Sequence, residues 1–326
     1  MATNNLGRDK LDWSQDIWNH IDQAVHDEAK RTKIAAQFLP LYSAEVDART
    51  IQSDAVNSRT IPLLTVNEEA ETPLLEIWTE FALTKQQYEQ EEHLMTAVTL
   101  AINAVNKLSR AEDLLIFQGT AGIADDLFQT QTVNLRGSQR DDTGRFGSRI
   151  SIVGLLPSAP DNQVIRIDPT ETNNDPSQNR YGENTFGAVA RGYSILQRRH
   201  YGRDALVLPT NPFADTWAPL KTTLIMPADR IKGLVGDRFY STSTLPNDFG
   251  LIDRRPIEPQ GLLVALDGNT MDLVMGMDPT TAFMQLDGEG LYRFRVFERF
   301  TMRLKDPQAV VRLEFNPASS VQPGPA

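Results

Sequence analysis

No cysteine occurs among the 326 residues. That removes disulfides, thiolate catalysis and thiolate-held metals at once. Histidine is scarce too, and the four present, His20, His26, His93 and His200, are scattered. His20 and His26 are six positions apart, which puts them on different faces of a helix and rules out a helical zinc pair. His93 stands among Glu89, Glu91 and Glu92, the pattern of a solvated, charged helix start rather than of a metal site. No apolar run approaches the ~20 residues that a membrane span needs. The opening Met1-Ala2-Thr3-Asn4-Asn5 lacks the charged and apolar regions of a secretory signal, so a soluble, cytoplasmically made protein is expected. A Gly-rich nucleotide loop, a nucleophile elbow, an HExxH helix and an EF-hand loop are all missing. The carboxylate pairs Asp125-Asp126 and Asp141-Asp142 lie in polar loops, and adjacent residues seldom converge on one substrate. No catalytic, cofactor-binding or metal-binding residue is therefore assigned, and no enzymatic activity is expected. Positive charge is also in deficit, with 32 Lys and Arg against 43 Asp and Glu, so the surface as a whole repels free nucleic acid.

What is present centres on residues 84–119. Thr84 with Gln87 three positions on is a capping-box start, and Gly119 supplies a stop. Between them there is no Gly or Pro, and Leu94, Val98, Ala101, Val105, Leu108 and Leu115 trace an apolar stripe. About 34 residues at ~1.5 Å each predict a rod of roughly 50 Å. Residues 75–83 alternate at period two and predict a strand running straight into that helix. With 40% hydrophobic content, the chain can bury one large or two modest cores.

Upstream, residues 12–38 predict an amphipathic helix with Trp13, Ile17, Ile21, Ala24, Ala29 and Ile34 on its apolar face, closed by Pro40. Residues 41–82 carry eight acidic side chains, Arg49, Arg59 and no lysine, a net charge of −6. Their strands are expected at 60–66 and 74–83, and the polar stretch 47–59 is expected to project. Residues 120–184 are rich in Gly, Asp, Asn, Ser and Thr, with short strands expected at 150–155 and 163–167. Loops of that length usually make contacts elsewhere. A mixed α/β stretch follows: a helix at 184–200, a buried strand at 204–208, a helix from Asn211-Pro212 past Trp217, a helix at 227–234 and a strand at 238–242. Beyond Gly261 the chain reads as strands 262–266, 271–277, 281–286, 291–304 and 309–315. They are punctuated by Asp267-Gly268-Asn269, Asp278-Pro279, Asp287-Gly288 and Asp306-Pro307. The Pro- and Ser-rich tail from Pro317 has no fold of its own. The one dense basic run is Gln197-Arg198-Arg199-His200-Tyr201-Gly202-Arg203.

The order of these elements resembles the HK97-type shell fold of tailed-phage major capsid proteins and encapsulins, in the Linocin M18-like branch. Asn4-Asn5-Leu6, Trp18, Ile21-Asp22 and Lys30-Arg31 look like the encapsulin N-terminal helix. Ala111-Glu112-Asp113-Leu114-Leu115-Ile116-Phe117-Gln118-Gly119 is similar to the end of its long helix. Tyr292 to Phe300 with Lys305-Asp306-Pro307 is similar to its late strands. The resemblance implies an α+β, HK97-like capsid fold. Its parts would be an N-terminal arm helix at 1–40, an extended E-loop at 41–83, and a peripheral P-domain with the spine helix and inserted loops at 84–185. An axial A-domain would follow at 186–260, then P-domain strands at 261–316 and a tail at 317–326.

The function so implied is a self-assembling icosahedral shell of pentamers and hexamers. The first reading is a tailed-phage capsid, assembled in the host cytoplasm. It would enclose double-stranded DNA without reading its sequence, with portal, scaffold and decoration proteins as partners. The alternative is an encapsulin nanocompartment around cargo enzymes in a bacterial cytoplasm. Without lysine in the E-loop, the lysine–asparagine cross-link of the founding phage is not expected. Contacts between subunits are expected from Trp13, Ile17 and Ile21 on the arm. They are also expected between Glu68, Glu69 and Glu71 of the E-loop and basic donors of a neighbour. Candidate donors are Arg198, Arg199 and Arg203, or the strand arginines Arg293, Arg295 and Arg299.

Overall fold

The structure is a computed structural model. It describes residues 6–45, 48–53, 56–57, 65–66, 70–140, 145–148, 151–172, 179–219, 224–247, 250–252, 255–267 and 269–317. Ten strands build two five-stranded sheets. They are β1 (Leu41–Ser43), β2 (Leu75–Leu83), β3 (Asn134–Leu135), β4 (Val164–Ile167), β5 (Asp204–Pro209), β6 (Phe239–Thr242), β7 (Gln260–Ala265), β8 (Met271–Leu286), β9 (Tyr292–Leu304) and β10 (Val310–Phe315). The principal helices are α1 (Gln15–Thr32), α2 (Ala35–Phe38), α3 (Lys85–Glu89), α4 (Glu91–Leu94), α5 (Thr96–Gln118), α6 (Gly182–Gln197), α7 (Thr210–Thr216) and α8 (Pro227–Val235). The chain divides into two compact units. One holds residues 1–153 and 272–303, the other 154–271 and 304–326.

In the first unit the sheet order is β1-β8-β9-β2-β3. β9 runs antiparallel to β2 with Phe294 opposite Phe81 and Phe300 opposite Leu75, and β1 lies parallel to β8 with Leu41 opposite Leu273. β8 and β9 are joined at Asp287, whose carboxylate accepts from the amides of Glu289 and Leu291 and so ties the turn. β8 passes through Asp278-Pro279 without turning there, against expectation. Among the described residues β1 pairs with Leu273, Val274 and Met275 and does not reach Pro279, where the ladder on that side is open and proline is tolerated.

The expected single rod over 85–118 is broken at Met95, which takes a left-handed φ of 49°. The cause is Glu91. Its carboxylate is nearly buried and folds forward to accept from the amides of Ala97 (2.9 Å) and Val98 (3.3 Å), starting a new helix. The capping box of Thr84 and Gln87 is present, but it starts the short α3. The remaining spine, α5, has 23 residues, about 35 Å at ~1.5 Å each. It packs on α1 and on β2. Its last two turns are buried on every side from Ala111 to Phe117, as a helix enclosed by a core must be. Leu108 has no exposed surface. Replacing it with Ala is expected to cost about 2–5 kcal/mol through the cavity left behind. Urea unfolding tests this, and an unchanged midpoint would show that the helix packs through another face.

α1 starts later than expected. Ser14 caps it by accepting from the amide of Ile17. Its buried face is Trp18, Ile21, Val25 and Ala29, whereas Ile17 and Ala24 stay half-buried, so the apolar stripe is rotated from the expected one.

In the second unit the order is β4-β10-β7-β5-β6, with β5 buried at all six positions. α6 lies close on this sheet because Gly192 has no side chain. A Cβ there would sit 3.0 Å from Leu263 and 3.3 Å from Val311. The strands after Gly261, expected in one domain, are divided: β7 and β10 belong here, β8 and β9 to the first sheet. The strand expected at 150–155 is absent over its described part, where Leu155–Ser158 is a helical turn. α7 ends at Thr216, with Trp217 as its cap, rather than running past it. The strand expected at 60–66 lies largely outside the described residues.

Candidate assembly surface and buried ion cluster

Of the arm residues expected at subunit contacts, Ile21 is wholly buried inside its own chain and has no surface to offer a neighbour. Trp13 is half-buried. Its ring stacks between Tyr88 (5.4 Å) and Phe294 (5.3 Å), and its indole N–H donates to the Tyr88 carbonyl. Ile17, half-buried, lines a cleft with His20, Glu92 and Met95. The expected subunit contact at Ile21 is thus corrected, since its own chain covers it completely, and Trp13 and Ile17 are left partly accessible.

Glu68 and Glu69 lie outside the described residues. Glu71 is exposed and sits opposite Gln52 in the strand pair formed by Thr50–Gln52 and Glu71–Pro73. Among the candidate donors, Arg198 and Arg203 are exposed, and Arg199 donates to the Gln308 side chain at 2.7 Å. Arg293 is held by Asp287 at 2.7 Å. Arg295 stacks over Phe297. Arg299 donates to the Ala48 carbonyl and lies 3.8 Å from Glu76. The strand arginines therefore have partners in their own chain. Arg198 and Arg203 present the more accessible charge.

Several large apolar side chains stand in solvent: Leu224 at 94%, Leu41 at 63%, and Leu286 and Ile225 at 55% each. Such side chains are natural candidates for cover by another molecule when they cluster. Leu41 also borders a groove of about 520 Å³ along the arm, lined by His26, Lys30, Gln37, Met275 and Asp278.

A buried ion cluster lies at the end of this groove, which Lys33 borders. Lys33, in the break between α1 and α2, reaches Glu112 on α5 and Glu298 on β9. Both carboxylates are fully buried and the ammonium nearly so. Beside them Asp113 accepts from the amides of Ile34 (3.0 Å) and Ala35 (2.9 Å), which anchors the start of α2. Burial pushes Asp113 up to about 7, against the pull of those two amides. Burial also raises Glu298, partly offset by Lys33 and reinforced by Glu112. Lys33 itself is raised: burial opposes its charge, and the attraction of two carboxylates outweighs that. Periodicity did not point to this cluster. The available signal was Glu112-Asp113 inside an otherwise apolar helix end.

Asp125 is a structural cap: it accepts from the Leu127 amide and pairs with Arg110. Asp141-Asp142 lies outside the described residues. Among the described residues no group of three His, Asp or Glu is placed to hold a metal, and no helix is long and apolar enough to cross a membrane.

This architecture is the HK97-like fold of encapsulins and phage capsids. A virus-like particle protein from Pyrococcus furiosus superposes with a TM-score of 0.59 at 14% identity, covering 91% of this chain and 99% of that one. A structure from Mycobacterium phage Bobi gives 0.55 at 15% identity, covering 88% and 91%. The SrpI encapsulin of Synechococcus elongatus gives 0.51 at 9%, covering 86% of each chain. Residues 3–142 match the Linocin M18 family model, described as an encapsulating protein for peroxidase. Among curated proteins no sequence match was found.

Proposed function

We propose that this chain is the subunit of a self-assembling icosahedral shell. The observation that carries the reading is a fold shared along nearly the whole chain with a particle-forming protein. Exposed Leu224, Ile225 and Leu286 support it, since a lone subunit leaves them in water. In this reading residues 1–40 are the arm and 41–83 the E-loop. The first unit supplies the peripheral domain, and the second supplies the axial domain with the tail.

Two contents are distinguished by experiment. A tailed-phage capsid around double-stranded DNA, with portal, scaffold and decoration partners, is supported by the likeness to phage structures. Such a capsid forms in the host cytoplasm. An encapsulin compartment around cargo enzymes in a bacterial cytoplasm is supported by the family match over residues 3–142. Particles purified from the native source discriminate: nuclease-protected duplex DNA marks the first, a co-purifying enzyme the second.

The E-loop's charge supplies a further test. Its net −6 needs a basic counterpart, and Arg198 and Arg203 of a neighbour are exposed to give one. Single exposed pairs contribute only ~0–1 kcal/mol, but repetition at every contact multiplies that. Changing Glu68, Glu69 and Glu71 together to Lys is expected to block assembly while the subunit stays folded. Light scattering and circular dichroism read the two quantities. Normal particles from the triple variant, at low and high salt alike, would reduce the loop's charge to solvation.

A further inference from the structure

The ion cluster has more negative than positive charge, and both of its glutamates are fully buried. Lys33 bonds one oxygen of each glutamate, Glu112 Oε2 and Glu298 Oε2. The other oxygens, Glu112 Oε1 and Glu298 Oε1, are buried with no hydrogen-bond donor. Two buried carboxylates on one ammonium leave one uncompensated negative charge, which is costly away from water. A proton between the two carboxyl groups removes that charge and also supplies the missing donor. We infer that Glu112 and Glu298 share one proton and, with Lys33, form a proton-dependent lock that fastens the N-terminal arm to α5 and β9.

Among the described residues, no second cation bonds Glu112 or Glu298. α5 adds Asp113, whose charge is spent on the α2 amides. β2 places apolar Ile77 opposite Glu298. The adjacent residues Glu76 and Arg299 pair with each other and point to the sheet's other face. On the arm, His26 and Lys30 are exposed, and with Asp278 of β8 they line the groove that Lys33 also borders, while both glutamates are fully buried. The lock joins three elements that are distant in the chain, so its release would free the α1–α2 junction and the face carrying Trp18, Ile21, Val25 and Ala29.

The sign follows from linkage. The docked arm holds a proton that an opened, solvated pair gives up, so docking weakens as pH rises from the ordinary carboxylate range toward the raised value of Glu298. Within that window each such proton makes opening rise about tenfold per pH unit.

The test uses the purified full-length protein in whatever assembly state it adopts, so it does not depend on the shell reading. Infrared difference spectra at pH 7 are expected to show a carboxylic-acid C=O band in wild type that persists in Asp113→Asn and is lost when Glu298→Gln is added to that variant. Amide hydrogen exchange over residues 15–35, corrected for intrinsic rates, is expected to rise from pH 5 to pH 8. In Glu298→Gln its slope should fall by about one proton. If Glu298→Gln does not fold, Glu112→Gln neutralises the other half of the pair and takes its place. If neither folds, a wild-type acid band that titrates in step with arm exchange supports the lock. Absence of the acid band in wild type, or an equal exchange slope in wild type and the Gln variant, overturns it.

Discussion

Replacing Lys33 with Met is expected to cost about 3–5 kcal/mol, because it leaves two fully buried carboxylates without their cation. The loss should depend on pH. Glu298 and Asp113 are both raised above ordinary carboxylate values, so their contributions are complete below the unfolded range and decline as pH rises through the folded values. For Asp113 that window runs from the carboxylate range to about 7, and Glu298 acts with the same sign. Lys33→Met should therefore be least damaging near pH 5, where the raised Glu298 holds its proton, and worst above pH 8. Adding Glu112→Gln and Glu298→Gln to Lys33→Met should restore most of the stability, since a neutral buried set needs no counter-ion. Urea midpoints at pH 5 and pH 8 for the three proteins measure all of this. A Lys33→Met midpoint equal to wild type at both values would mean that the cluster contributes nothing.

Phe294→Ala comes next in size, at about 3–5 kcal/mol. Phe294 is fully buried on β9, with the rings of Trp13, Phe81 and Phe283 at 5.3, 5.2 and 5.4 Å. Trp18 stands slightly farther away, at 6.4 Å. Stacked or edge-on pairs each add about 0.5–1.5 kcal/mol beyond their buried area. One side chain thus joins the arm to the sheet from the apolar side, as Lys33 does from the polar side. The substitution should lower the unfolding midpoint and shift tryptophan emission to the red as Trp13 and Trp18 gain water. Phe294→Leu should lose less. A cost below ~1 kcal/mol for Phe294→Ala would place the arm's anchorage elsewhere.

Local signals carried much of the fold. The alternation of β2, the capping box at Thr84, the hairpin residue Asp287 and the helix of residues 182–197 stand where their residues put them. The break at Met95 was not legible, because Glu91 belongs to a good helix pattern until its carboxylate is seen reaching the next helix's amides. Pro279 misled in the same way: it marks a turn in most contexts, but on an unpaired edge a strand continues through it. Strands 262–266 and 309–315 look like neighbours of β8 and β9 along the chain, yet sheet membership depends on pairings that no local pattern encodes. The ion cluster is the extreme case. Lys33 meets partners 79 and 265 residues away, and apart from Glu112 in its apolar helix end nothing in their segments marks them as buried. The arm's rotated face has a nearby cause, since Trp18 rather than Ile17 fills the space beside Phe294.

Electron microscopy of the purified, full-length chain bears most directly on the assembly of this fold. Closed particles of uniform diameter, formed by the chain alone or with a co-expressed scaffold and dissociating when Glu68, Glu69 and Glu71 are reversed, are the expected result. A stable, monodisperse monomer under all near-physiological conditions, with no particles in the cells that make it, would contradict it.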